Sequence, residues 1–173
     1  MSSLQMGAVA AVLRLTRKRA MATPERARRR LAAPKGSPAP PAALGHRHAV
    51  TQRGVGGFPC TTVAPRGGPA ARAAVYLHGG AYVSAVAPQH WALVSAMADA
   101  GVRVEVPHYG LAPQHTHRQA YPFVTAVYRE LLRQAEAKFA AADAAQAAGD
   151  TVKWARLMEE GRSLIEEAVG LAG

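Results

Sequence analysis

A chain of 173 residues with an apolar fraction of 49% is long enough to bury one domain-sized core, which excludes disorder throughout. A single cysteine, Cys60, rules out an intramolecular disulfide and a thiolate zinc cage, and fits a reducing, cytoplasmic setting. The net charge of +10 sits mainly at the front: residues 1–50 carry +9, residues 51–140 carry +4 and residues 141–173 carry −3. The basic first segment is drawn to anionic surfaces whatever its fold, and the acidic last segment is not.

In chain order, residues 4–19 read as a helix with Leu4, Ala8, Ala11, Val12 and Leu15 on one side and a basic last turn. Its apolar stretch, about eight residues, falls far short of the roughly 20 that cross a bilayer, and no basic residue precedes it as a secretory signal requires. Thr23-Pro24-Glu25 supplies an N-cap and a proline at the first position of a second helix, "PERARRRLAA". Pro34 to Gly45 is rich in Pro, Gly, Ser and Ala and is expected to be a linker. From His46 the pattern turns to two short β runs interrupted by Gly54, Gly56 and Gly57, then a buried strand "AAVYLH" ending near Leu77. A helix over about 89–100 places Trp91, Val94, Ser95 and Ala98 on one face, with Gly101 as its C-cap. A strand over 102–106 follows, then a loop and a helix through Phe123, Val127 and Leu131. Strand, helix, strand, helix predicts an α/β layer with a parallel pair. Beyond about Arg133 the composition turns to Ala and Glu, with Gly149-Asp150 dividing a helical hairpin. The expected domains are residues 1–45, two basic helices and a linker; 46–132, the α/β core; and 133–173, the helical tail.

The residues that carry chemistry lie at "VYLHGGAYVS". A strand that runs into His78-Gly79-Gly80-Ala81 and then a loop and helix offers backbone N–H groups without side chains to obstruct a ligand's approach. Acyl transfer needs such donors where negative charge develops on a carbonyl oxygen. The segments "YLHGGAYVSAVAPQH" and "VRVEVPHYGLAPQH" resemble the hormone-sensitive-lipase-type esterases of the α/β-hydrolase fold, whose oxyanion motif is followed by a Tyr-Arg-Leu-Ala-Pro-Glu segment. Tyr109, Leu111, Ala112 and Pro113 match that segment, whereas Gly110 and Gln114 replace its arginine and glutamate, and His108 stands where an aspartate is common. The resemblance covers residues 46–132, and makes the preceding basic helices similar to that family's N-terminal cap.

The resemblance implies an α/β fold containing a partial hydrolase sheet, with cap-like helices before it and the helical hairpin after it. It implies oxyanion-hole N–H groups at Gly79 and Gly80, loop support from His78, Ala81 and Tyr109, a small ester or acyl substrate, and no cofactor. The family's nucleophile is a serine in a Gly-x-Ser-x-Gly elbow. No such pentapeptide occurs in the sequence. "GRSLI", Gly161 to Ile165, comes closest, and Ser163 is expected on a helix surface. No catalytic triad is therefore assigned, and the chain reads as the N-terminal half of such an enzyme. Should a nucleophile be recruited from outside the family pattern, Ser84 with His90 or His115 is the first candidate. No metal is assigned to the histidines at 90, 108, 115 and 117, because carboxylates and thiolates at suitable spacing are lacking. Two other readings stay open: a non-catalytic interaction module with a basic arm, and a binder of anionic surfaces such as a membrane face. No specific nucleic-acid signature accompanies the basic cluster, and an unpaired strand edge leaves room for self-association.

Overall fold

The computed structural model describes residues 22–68, 70 and 72–169, the side chains of residues 165–169 excepted. The chain divides into two compact units, residues 1–35 and 36–173. The helix expected over residues 4–19 lies outside the described residues. In the first unit, α1 (Pro24–Ala32) starts as the sequence indicates: the Thr23 hydroxyl accepts from the Arg26 N–H at 3.3 Å, and proline opens the helix.

The second unit opens with a departure from expectation. Residues 34–45 were to be linker, yet Ala42–Arg47 form a short helix, α2. Its Leu44 is buried in the core with Val63 and Trp91. One apolar anchor in a polar, proline-rich stretch is enough to dock it.

Strands β1 (Ala49–Val55) and β2 (Phe58–Ala64) form a hairpin in which Val55 faces Phe58. The turn consists of Gly56 and Gly57, with φ of +56° and +85°, the left-handed pair that a two-residue hairpin loop demands. Strand β3 (Arg72–Val75) leads through the glycine loop to α3 (Pro88–Asp99), which returns the chain to β4 (Val102–Pro107). The sheet order is β1-β2-β4-β3, with β3 parallel to β4 and the remaining pairs antiparallel. The parallel pair joined by a helix is the arrangement the sequence pattern predicts. Regular β3 stops two residues before Leu77, though the Tyr76 N–H still donates to the Glu105 carbonyl at 2.8 Å.

Helices cover both faces. On one, Trp91, Val94 and Ala98 of α3 pack on Val63, Val104 and Val106. On the other, Phe123 and Val127 of α4 (His117–Ala147) pack on Cys60. This helix is 31 residues long and passes without a break through residue 133, where the composition changes. The Ala-rich part stays helical because Ala135, Ala142 and Ala145 are themselves buried. After Gly149, at φ +75°, the chain enters α5 (Thr151–Val169), whose first turn is capped by Asp150 Oδ1 accepting from the Lys153 N–H at 2.9 Å. The two helices pack on each other, and α5 also packs on β3. Gly161 lets α5 approach closely: a Cβ there would lie 2.7 Å from the Phe139 ring. Ser163, expected at the surface, is instead buried, its hydroxyl donating to the Glu160 carbonyl at 2.8 Å.

The face toward α4 also buries charge. Glu105 of β4 is fully enclosed, and its carboxylate receives Arg53 Nη1 at 2.6 Å, the Thr62 hydroxyl at 2.8 Å and Arg103 Nη2 at 2.7 Å. Burial alone would raise its pKa, but hydrogen bonds from Arg53 and Thr62 and the charge of Arg103 hold it below the usual carboxylate value. Cys60 is enclosed beside it. Burial and that carboxylate push the thiol up to about 12, so it is a packed core residue and not a nucleophile.

Candidate active site

The glycine loop begins where β3 ends and is held from the side by the segment after β4. Tyr109 donates its hydroxyl hydrogen to the His78 carbonyl, and its ring stacks on the His78 imidazole at 4.6 Å with 6° between planes. The other face of this assembly continues to Tyr82, whose ring lies 5.4 Å from Tyr109 and 22° from parallel with it. His78 is buried, and its Nδ1 lies 2.9 Å from the Gly79 carbonyl oxygen. Burial depresses its pKa, opposed by that hydrogen bond and assisted by nearby His90. The His78 ring is thus a neutral spacer at neutral pH, engaged on its face and at one nitrogen.

Backbone geometry through the loop is unusual. Gly80 has φ +132°, and the next two residues, Ala81 and Tyr82, have φ of +53° and +62°. Left-handed backbone at a tyrosine is uncommon and costs on the order of 1–2 kcal/mol. The turn is tied by the Val83 N–H donating to the Gly80 carbonyl at 3.1 Å and by the Ala112 N–H donating to the Tyr82 carbonyl at 2.9 Å. A Cβ on Gly80 would come within 3.0 Å of Ser84, so this position needs glycine on two counts. No acceptor among the described residues takes the N–H of Gly79 or Gly80.

A pocket of about 350 Å³ opens beside the loop, lined by Leu77 and Tyr82 from either side of His78–Ala81, by Tyr109, and by His117, Ala120, Tyr121 and Val124 of α4. Its wall carries no lysine, arginine or carboxylate, and His117 is its basic side chain. Leu77 and Tyr121 are 52% and 70% exposed, which puts them at its mouth.

The flanking histidines are packed in place, with His108 Nδ1 and His115 Nδ1 buried and without a hydrogen-bond partner among the described residues. His90 Nδ1 accepts from the Ala87 N–H at 3.0 Å and caps α3. His115 packs edge-on against Phe58 at 5.2 Å and fills the space above Gly110, where any Cβ would overlap its ring. His108 is buried with Nε2 2.8 Å from the Thr61 hydroxyl, and burial takes its pKa down to about 4. A neutral imidazole therefore replaces the carboxylate that the family resemblance leads one to expect there.

Sequence reading overlooked one further cluster. His48 Nε2 lies 2.9 Å from the Ser95 hydroxyl and 3.6 Å from Asp99 Oδ1, and Asp99 pairs with Arg47 at 2.6 Å. The three residue types are those of a triad, but the arrangement is not one. Serine and carboxylate compete for the same ring nitrogen, so the carboxylate cannot orient the imidazole from its far side. The 47 residues between His48 and Ser95 explain why no local spacing revealed the contact.

Residues 74–152 match the family model described as alpha/beta hydrolase fold. A Staphylococcus aureus protein assigned to the esterases is 17% identical over 65% of this chain and 39% of its own length, with a TM-score of 0.57. The chain carries part of an α/β-hydrolase fold. The matched residues include the glycine loop, α3 and β4. Structures with lower TM-scores also match: a hormone-sensitive lipase from a metagenome library (30% identity, 51% of this chain, 30% of that one, TM-score 0.45) and an esterase from the bacterial hormone-sensitive lipase family (29%, 62%, 40%, 0.45). The chain spans 30% to 40% of the length of these three structures. No curated protein matches it. Among the described residues no helix is long and apolar enough to cross a membrane.

Proposed function

We propose that the loop His78–Ala81 is the oxyanion-binding half of a carboxylic-ester hydrolase site, with the N–H groups of Gly79 and Gly80 as donors to an acyl carbonyl oxygen. The observation that carries this reading is that both N–H groups lack an acceptor among the described residues, on a loop whose next residues are held in left-handed backbone. Donors fixed before the ligand arrives need no reorganisation as charge develops on the oxygen, which is what makes such a loop effective. His78, Ala81 and Tyr109 support it: the tyrosine fixes the His78 carbonyl, and the stacked rings fix the direction of the peptide that follows.

In this reading the described residues near the loop supply neither nucleophile nor base: Ser95 belongs to α3 and bonds His48, His90 Nδ1 caps α3, and the His115 ring is packed over Gly110. Binding of an acyl group without turnover is the expected behaviour of these residues. Amide-resolved NMR tests it: methyl butyrate is expected to move the Gly79 and Gly80 resonances, and Gly79→Pro to abolish the effect at Gly80. Unmoved glycine amides at saturating ester would sink the reading. A fluorophosphonate probe is expected to leave every serine unlabelled; stoichiometric labelling of one serine, lost on denaturation, would place a working nucleophile in this chain.

A further inference from the structure

The pocket beside the glycine loop has a shape and a wall that the oxyanion reading does not use. Its volume of about 350 Å³ exceeds what an acetyl group fills, and four of its wall residues, Tyr82, Tyr109, His117 and Tyr121, carry aromatic rings. Tyr82 is the residue that the chain strains to keep there. Its φ of +62° follows Ala81 at +53°, a pair of conformations that glycines would adopt without cost. The strain holds the Tyr82 ring against Tyr109, so the stack His78–Tyr109–Tyr82 ends at the pocket. The Tyr82 hydroxyl is shielded from water and bonds nothing, so the ring is retained for its faces and edges and not for its polar end. Planar rings offer a quadrupolar face or edge that favours another flat ring over a saturated one of similar size.

We propose that this pocket binds the uncharged aryl group of an ester or ketone, and that Tyr82 is the residue that sets the preference for aryl over saturated rings. The inference rests on the oxyanion reading in one respect: the ligand's carbonyl oxygen points to the loop while its ring enters the pocket. The ligand carries no charge because the wall holds no lysine, arginine or carboxylate to pair with an ion, its basic side chain being the His117 imidazole, and Ala120 and Val124 give the ring an apolar wall.

Three probes separate the two ideas: acetophenone (ring and carbonyl), cyclohexyl methyl ketone (carbonyl on a saturated ring) and ethylbenzene (ring alone). Each is titrated into the full chain while the amides of Leu77, Ala120 and Val124 are followed by NMR. Acetophenone is expected to bind ~5-fold more tightly than the cyclohexyl ketone, the scale of one aromatic contact. Tyr82→Ala is expected to bring the two within about twofold, and Tyr82→Phe, which keeps the ring, to preserve the difference. Tyr121→Ala, at an exposed position, provides a second test should Tyr82→Ala fail to fold, and is expected to weaken acetophenone and ethylbenzene together. Gly79→Pro addresses the oxyanion reading alone: it is expected to weaken both ketones and leave ethylbenzene unchanged. Equal affinity for the two ketones, a preference that survives Tyr82→Ala, or no binding by any probe at millimolar concentration overturns the aryl site. Loss of the Gly79→Pro effect with the Tyr82 effect intact overturns the oxyanion reading and leaves the aryl site standing.

Discussion

The two faces of the same four-stranded sheet are built on opposite principles. Toward α3, Val63, Val104 and Val106 are fully enclosed by Trp91, Val94 and Ala98, and the polar groups in that layer are the Thr61–His108 pair and His48 bonded to Ser95. Toward α4, Cys60 and Phe123 share their layer with Glu105, Thr62, Arg53 and Arg103. Strand β4 shows both in six residues, its valines at 102, 104 and 106 alternating with Arg103 and Glu105. A dry face needs only apolar residues at the right period, since dispersion and burial are non-directional. A charged face needs each partner in place, because an unpaired buried charge costs far more than a missing methyl group. Damage should therefore be abrupt on one side and graded on the other.

The largest effect is expected from Glu105→Ala, which leaves two partly buried guanidinium groups without their shared carboxylate; a loss of about 3–5 kcal/mol follows from breaking such a pair. Urea unfolding measures it, and a loss under about 1 kcal/mol would show that the charged face is ordinary solvated surface. Next comes pH, which probes the buried His108 of the dry face. Burial takes the pKa of His108 down to about 4 in the folded chain, from an ordinary imidazole value of 6.5. The unfolded chain thus binds more protons between these values. Stability should be full above pH 6.5 and fall as pH drops toward 4, by about 3 kcal/mol for a shift of this size. His108→Gln is expected to flatten the urea midpoint across that window, leaving the smaller share of His78, whose pKa is also depressed. Glu105 contributes a separate loss only below its ordinary value of 4.5, as its paired carboxylate protonates. The smallest effect is Val104→Ala, about 2 kcal/mol for two buried methyl groups and the space they leave. If it equals Glu105→Ala, the contrast between the faces fails.

The dry face was legible in the sequence and the charged one was not, for a physical reason. The Trp91, Val94, Ala98 spacing and the alternation at 102–106 are local patterns, each readable within one element. The bond from Arg53 to Glu105 spans 52 residues and exists only because the pairing register sets Arg53 opposite Cys60 and Thr62 opposite Glu105. The glycine loop was legible because its constraint is steric and written in residue type, at Gly80 above all. Nothing in the sequence marked Ala81 and Tyr82 as left-handed, since neither is a residue that favours that region. The helix at 42–47 was hidden by the prolines around it, and the burial of Ser163 by a close helix crossing that Gly161 permits from two residues away.

The packing of His115 over Gly110 makes the two positions a single steric unit. With a glycine at 110, the imidazole occupies the volume where a side chain would stand. A side chain at that position and the present placement of His115 are mutually exclusive, so substitutions at the two are coupled and non-additive. A side chain at 110 is compatible only with a His115 that has been replaced by something smaller or has swung away. Gly110→Arg alone is therefore expected to cost more stability than Gly110→Arg made together with His115→Ala, which removes the ring from that volume.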